Sequence, residues 1–190
     1  KSKKTPEETA ILINKVATLL GLFLITLTLA GIFGAPWLIY LSAPGFASDP
    51  EKFNLTVDML QITFPYIFFI SLVSMAGGIL NSYGKFLVPA FTPVWLNISF
   101  IVAALYFSDS FSQPAFVLAW AVFIGGILQL FFQLPFLKQI GFLPKFDLNI
   151  NDPGVWKITK LMGPAILGVS VTQISLLINT VFASFLAVGS

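Results

Sequence analysis

The chain has 190 residues, of which 57% are hydrophobic and only 9% are charged. A soluble domain carries about 25% charged residues, so this chain cannot cover a water-facing surface and must be solvated by lipid. A net charge of +2 argues against nucleic acid as a partner, and a sequence without histidine or cysteine has no disulfides and lacks the usual transition-metal ligands.

Five apolar runs, in chain order, are long enough to cross a bilayer, which takes about 20 mostly apolar residues. The predicted spans are residues 16–42, 59–80, 86–107, 114–137 and 161–188. The predicted fold class is therefore an all-α polytopic membrane protein, a single membrane-embedded segment with a cytoplasmic loop at 138–160. Because the chain opens on Lys1 and closes in apolar residues, we expect an internal piece of a longer protein.

Helix start and stop signals flank the first two spans. Thr5, Pro6 and Glu8 form the pattern of a capping box, so the first helix is expected to begin before the membrane. Pro36, preceded by two glycines, predicts a kink or an early stop near its far end. The segment Asp49–Pro50 is a second start signal, placed ahead of the second span.

The lysines indicate the orientation. With five spans, nine of the ten lysines fall on one side and only Lys52 on the other. Loops rich in lysine stay in the cytoplasm, so the N-terminal end is predicted to be cytoplasmic and the C-terminal end periplasmic. Lys85, in the turn between the second and third spans, is interpreted as a topology anchor. Pro89 and Pro93 follow that turn and predict a kinked helix.

The predicted spans contain no acidic or basic residue, which argues against a proton relay. They also offer no nucleophile–base pair, so an enzyme is not expected, and no metal or other cofactor is expected. In the fifth span, Thr172, Ser175 and Asn179 share one helix face, which is typical either of close helix packing or of a water-filled cavity wall. Gln129 and Gln133, four residues apart in the fourth span, are interpreted as interhelical hydrogen-bonding residues.

Prolines lie in or at the ends of most spans. Pro89, Pro93 and Pro164, the last of which is taken to open the fifth span, are candidates for bends that change during a conformational cycle. Repeated helix breaks of this kind favour a transporter over a rigid helical bundle, since neighbouring helices or water can satisfy the freed carbonyls.

Several long blocks carry a family resemblance. The segments "APGF" (43–46), "ITFPYIFFISLVSMAGGILNSYGKFLVPAFTPVWLNIS" (62–99), "LAWAVFIGGILQLFFQLPFL" (118–137) and "MGPAILGVSVTQISLLINTVFASFLAVGS" (162–190) closely resemble the MurJ/MviN family. This is the family of bacterial lipid II flippases, within the multidrug/oligosaccharidyl-lipid/polysaccharide exporter superfamily.

The resemblance implies a fourteen-helix, two-lobe transporter of the bacterial inner membrane, in which this chain supplies the third to seventh helices. It implies lipid II, the undecaprenyl-pyrophosphate-linked peptidoglycan precursor, as substrate, with membrane lipids and the remaining helices of the same chain as partners. The family's pyrophosphate-binding arginines lie on other helices, and this chain contains no arginine, so none can be assigned here. Two alternatives stay open: a polysaccharide or multidrug exporter of the superfamily, and a non-transporting membrane scaffold for cell-wall enzymes.

Overall fold

The computed structural model describes residues 5–111, 113–149 and 152–185, without the side chains at 109, 162–169, 171 and 172. Within these ranges the α-helices are α1 (Pro6–Ser42), α2 (Pro50–Thr63), α3 (Tyr66–Ser82), α4 (Leu87–Tyr106), α5 (Pro114–Gln139) and α6 (Pro153–Ser184). A short 3₁₀ helix, Pro44–Ser48, follows α1. The described part of the chain contains no β-strand.

Four helical segments of the described chain are long and apolar enough to cross a membrane: Pro6–Ser42, Pro50–Ser82, Leu87–Tyr106 and Pro114–Gln139. Many large apolar side chains point outward, and Phe33, for example, is 80% exposed. Such a surface is suited to lipid rather than water. In α6, the apolar part that the structure describes is Gln173–Ser184. Other residues of the predicted span 161–188 are not among the described residues.

The start of α1 confirms the predicted capping box. Glu8 N donates to Thr5 Oγ1 at 3.2 Å, and Thr5 N donates to Glu8 Oε2 at 2.9 Å. The second start signal is also confirmed, since Asp49 Oδ1 accepts a hydrogen bond from Lys52 N at 3.1 Å at the beginning of α2. Both caps satisfy amide groups that the first turn of a helix leaves without a backbone partner.

Of the kink or early stop expected at Pro36, the early stop is wrong, because α1 continues through Pro36 to Ser42. A proline inside a helix frees the carbonyl four residues before it, which here is that of Ile32. Gln61 on α2 donates a hydrogen bond from its Nε2 to the carbonyl oxygen of Ile32, at 3.1 Å between the two atoms. A side chain from the neighbouring helix thus replaces the missing backbone donor, as is needed where no water is available.

This replacement predicts a dependence between two positions on different helices. We expect Gln61→Leu to destabilise the full-length protein by about 1 kcal/mol, because the Ile32 carbonyl loses its added donor in an apolar setting. In a Pro36→Ala background the backbone amide at 36 takes that role, so Gln61→Leu should then cost much less. A double-mutant cycle by thermal unfolding in detergent measures this coupling, and equal costs in both backgrounds would contradict it.

The predicted second span, 59–80, is not one continuous helix. It divides into α2 and α3 at Phe64 and Pro65, because proline has no N–H with which to continue the backbone hydrogen bonds of α2. The ring of Phe64 lies against Gly31 of α1, where an added Cβ would overlap it. The break therefore places an aromatic ring against a position on α1 that only glycine leaves open.

A compact unit is formed by α3, α4 and α5, and glycines let these helices approach. A Cβ at Gly125 would lie 3.2 Å from the Leu96 Cα on α4, and one at Gly126 would lie 2.8 Å from the Tyr66 ring on α3. Small residues at such crossings are typical of membrane helices, which associate by close backbone packing.

Polar side chains connect the same three helices. Gln129 and Gln133 are 2% and 1% exposed, and both face Thr92 on α4. Gln133 Nε2 donates to Thr92 Oγ1 at 2.8 Å, and the Tyr66 hydroxyl donates to Gln129 Oε1 at 3.3 Å. These bonds confirm the interpretation of the two glutamines as interhelical hydrogen-bonding residues.

The helices α5 and α6 come closer together along the chain than the predicted membrane spans, and the cytoplasmic loop at 138–160 stays a prediction. The helix α5 ends at Gln139, and α6 begins at Pro153 with Asp152 as its cap. The same Asp-Pro pattern that starts α2 starts α6, so this boundary was available in the sequence.

Candidate functional site

The beginnings of α1 and α6 are joined by an ion pair. Lys15 Nζ lies 2.9 Å from Asp152 Oδ2, and the Lys15 side chain is 11% exposed while that of Asp152 is 28% exposed. Asp152 also caps α6, because its Oδ1 accepts a hydrogen bond from Gly154 N at 2.7 Å. A charge as buried as that of Lys15 needs a partner, so this contact holds the first turn of α6 against α1.

The loop that precedes α6 is bonded to the same part of α1. Asn14 Oδ1 accepts a hydrogen bond from Lys145 N at 2.8 Å, and Thr18 Oγ1 accepts one from Asp147 N at 2.9 Å. These bonds satisfy backbone donors of a segment without regular secondary structure. Side chains of α1 therefore fix the approach to α6 as well as its start.

The far ends of α1 and α6 also meet, through the 3₁₀ helix Pro44–Ser48. Gly45 N donates to Ser184 Oγ at 3.1 Å, and Ser184 is 6% exposed. A Cβ at Gly45 would overlap the backbone carbonyl of Ser184. Glycine is therefore required here for the two backbones to approach, and this need explains the glycine of the "APGF" segment.

Taken together, the two contacts show that α1 and α6 run in the same direction. From Lys15 to Ser42 the helix α1 advances about 40 Å, and α6 advances about 47 Å from Pro153 to Ser184. The two helices are thus in contact near both ends, and the length between the contacts is comparable with a bilayer that is about 40–45 Å thick with its headgroups. Between parallel membrane-crossing helices an odd number of intervening crossings is required, and the three described segments Pro50–Ser82, Leu87–Tyr106 and Pro114–Gln139 meet this requirement.

The predicted polar face of α6 lies between these contacts. Ser175 and Asn179 are both exposed, as is every side chain from 173 to 180, and the side chain of Thr172 is outside the described residues. Since successive residues of an α-helix are about 100° apart, Ser184 lies about 180° from Ser175 around the helix. The side of α6 that touches the 3₁₀ helix is therefore opposite Ser175, which is exposed within the described chain.

The remaining predicted residues lie elsewhere. Lys85 is exposed in the turn between α3 and α4, next to Gly84, whose φ of 74° requires glycine. Pro89 and Pro93 both lie within α4, and Pro89 is near Gly77, where an added Cβ would be 3.3 Å from it. Pro164 lies within α6, which begins at Pro153, so its place at the start of the fifth span stays a prediction; its side chain is outside the described residues.

The described side chains of α6 offer uncharged hydrogen-bonding groups. In the part of the chain that the structure describes, no group of three or more acidic, histidine or cysteine residues could hold a metal ion. The exposed polar face of α6 supplies hydroxyl and amide groups, which can bond sugars, peptides or water but carry no charge. This composition is suited to orienting a polar group.

Sequence reasoning missed the residues that position α6. Lys15 was counted as one more lysine for the orientation, yet it lies inside a long apolar helix, where a charged residue signals a partner. Asp152 could be recognised as a helix cap from the proline that follows it. Neither signal identifies the partner, because the two residues are 137 positions apart.

The sequence model of the family described as lipid II flippase MurJ matches residues 1–190. A protein of Buchnera aphidicola subsp. Acyrthosiphon pisum, named probable lipid II flippase MurJ, is 45% identical over 190 residues, which are 100% of this chain and 37% of the relative. The lipid II flippase MurJ of Burkholderia cenocepacia is 43% identical over 194 residues, 100% of this chain and 38% of the relative.

A third relative, named probable lipid II flippase MurJ, from Vibrio cholerae, is 44% identical over 190 residues, covering 96% of this chain and 36% of the relative. The chain thus spans little more than a third of the length of these curated relatives. The family match extends over every residue, and the helices are those of a multi-pass membrane protein. The chain belongs to the MurJ family.

Proposed function

We propose that the protein moves lipid II from the inner to the outer leaflet of the bacterial inner membrane by alternating access, and so serves peptidoglycan synthesis, cell wall organisation and cell shape. The observation that carries this proposal is the family match across residues 1–190, joined by relatives that are named lipid II flippases. The uncharged spans are consistent with a role that needs no proton relay within this part of the protein.

In this proposal α6 forms one wall of the substrate cavity. Thr172, Ser175 and Asn179 face the cavity and bond the sugar or peptide part of the substrate. Two observations support it: Ser175 and Asn179 are exposed, and the opposite side of α6 holds Ser184 against the 3₁₀ helix. The pyrophosphate is held by cations outside this chain, because neutral donors do not offset the dehydration of so concentrated a charge.

The prolines would permit the change between inward-open and outward-open states. Pro93 lies inside α4 and Pro164 inside α6, so each removes a backbone hydrogen bond of its helix, and bending at these points requires little further loss. Pro89 lies in the first turn of α4, where it would act on the direction of the helix start and not on its hydrogen bonds. The tightly packed unit of α3, α4 and α5 would move as one body.

The lysine distribution supports a cytoplasmic N-terminal end and a periplasmic C-terminal end. We expect a cysteine at Ser48 in the full-length protein to react with a membrane-impermeant thiol reagent in intact cells. A cysteine at Lys85 should react only after the cells are permeabilised. Both positions are exposed in the structure, so burial does not distinguish them. Labelling at position 85 in intact cells, with none at 48, would reverse the orientation.

The function itself is tested with the complete protein. Cells depleted of it should accumulate lipid II in the inner leaflet, measured by the access of an external lipid II-modifying enzyme, and the full-length gene should restore access. If lipid II reaches the outer leaflet normally while export of another glycan or of a drug fails, the proposal is wrong and a different exporter is indicated. If only the membrane localisation of cell-wall enzymes changes, a scaffold is indicated.

A further inference from the structure

An apolar groove opens beside the turn that carries Lys85. It lies between α4 and α5 and has a volume of about 620 Å³. Phe91, Phe132 and Phe136 form its wall, with their rings in contact at centroid distances of 5.7 and 5.5 Å. Lys85 and Gln139 lie at its mouth. We call this the Lys85 groove.

The groove runs along the helix axes. Its lining extends from Lys85 to Phe91 at the start of α4 and from Gln139 back to Phe132 at the end of α5. Six or seven residues of an α-helix advance about 10 Å, so the groove reaches most of the way through one leaflet of a hydrocarbon core about 30 Å thick. Its direction and apolar wall fit an extended acyl chain entering from the membrane surface.

Its mouth is positively charged. Lys85 is the single charged residue of the sequence between Asp58 and Asp109, and it makes no ion pair among the described residues. The helix α4 begins at Leu87 without a side-chain cap, so no side chain bonds the amides of Leu87 and Val88 at this end. An anionic group at the mouth would meet a lysine that has no acidic residue within ion-pair distance in the described part of the chain.

A second groove, at the opposite end of α4 and α5, provides a contrast within the same molecule. It has a volume of about 320 Å³ and is lined by apolar residues such as Val102, Phe107 and Trp120, with no charged residue in its lining. We call it the Trp120 groove. The two grooves differ in the cation at the mouth, and both offer an apolar wall to lipid.

We propose that the Lys85 groove is a binding site for one anionic glycerophospholipid of the bilayer, with the phosphate at Lys85 and an acyl chain along the three phenylalanine rings. A zwitterionic lipid would fit the wall equally well but would gain less from the lysine. A pyrophosphate calls for more cationic donors than the single lysine present, so the site is assigned to a bilayer lipid and not to lipid II. Lys85 then has a role beyond orientation.

The test uses full-length protein in phosphatidylcholine nanodiscs that contain a few per cent of a phosphatidylglycerol with a diazirine on its acyl chain. After illumination, labelled peptides are identified by mass spectrometry. We expect labelling at Phe91, Phe132 or Phe136 that unlabelled phosphatidylglycerol displaces. Lys85→Gln should reduce it about fivefold, the effect of one lysine on an anionic lipid, while Lys85→Arg should retain it. The matched control, Lys157→Gln, removes the same charge from α6 and should have no effect.

The Trp120 groove serves as an internal reference, since it should be labelled equally by diazirine probes with phosphatidylglycerol and phosphatidylcholine headgroups. Equal labelling of the Lys85 groove by both probes, or labelling that Lys85→Gln leaves unchanged, would overturn the proposal. Displacement of the probe by lipid II at concentrations below that of the probe would also overturn it, since the groove would then hold the transported lipid. The outcome does not depend on which side of the membrane faces the cytoplasm.

Discussion

Gly45→Ala is expected to destabilise the full-length protein by about 2–4 kcal/mol, from overpacking and the loss of one hydrogen bond. The added Cβ would overlap a backbone carbonyl, that of Ser184, which cannot rotate away as a side chain can. The 3₁₀ helix and the end of α6 must therefore separate, and the bond from Gly45 N to Ser184 Oγ is lost. Thermal unfolding in detergent measures the change.

The matched control is Gly34→Ala, on α1. A Cβ at Gly34 meets no atom within 4 Å, so the substitution should stabilise the helix slightly, by about 0.5–1 kcal/mol. Opposite signs for the two glycines would support the close approach of α6 to the 3₁₀ helix. Equal, small effects would show that these two elements are not in contact.

Asp152→Asn is expected to cost about 2–4 kcal/mol, because it leaves the buried charge of Lys15 without its partner. The amide oxygen of asparagine can still cap α6, so the loss reports the ion pair rather than the cap. Lys15→Met should cost less, since the remaining Asp152 carboxylate is more exposed and methionine fills much of the same volume.

The double variant Lys15→Met with Asp152→Asn should recover most of the loss, because neither side chain then carries a buried charge. A coupling energy of about 1–3 kcal/mol in this cycle would establish the contact. Additive costs would mean that Lys15 and Asp152 do not meet, and α6 would then have no fixed start against α1.

Local features of the fold could be predicted from the sequence because their causes are local. The Thr5 capping box and the Asp49–Pro50 start signal depend on residues three apart, and both appear in the structure. The continuation of α1 through Pro36 could not be predicted, since it depends on Gln61, a donor from the next helix. The break at Pro65 was visible as a proline, but its packing against Gly31 was not.

The candidate site could likewise be predicted from the sequence only in part. Helical periodicity alone places Thr172, Ser175 and Asn179 on one face, because the spacing of residues around a helix is fixed. What that face meets depends on contacts between distant parts of the chain, such as the one from Gly45 to Ser184. Residue spacing carries no information about such pairs, so the attachment of α6 to α1 required the structure.

The most direct test of the proposed function within this chain is the water access of α6. In a cysteine-free background of the full-length protein, cysteines at Ser175 and Asn179 are compared with cysteines at Ile174 and Ile178, one residue earlier in each case. All four positions are exposed in the structure, so burial within this chain does not bias the comparison. The two pairs face directions about 100° apart around the helix.

If the polar face lines a substrate cavity, a small hydrophilic thiol reagent should modify positions 175 and 179 at least about tenfold faster than positions 174 and 178. The reason is that the reagent reaches a thiol in water but is excluded from lipid and from packed protein. Lipid II added in excess should slow the reaction at 175 and 179. Equal protection of all four positions would contradict the account, since the polar face would then be a helix-packing surface and α6 would not border the pathway.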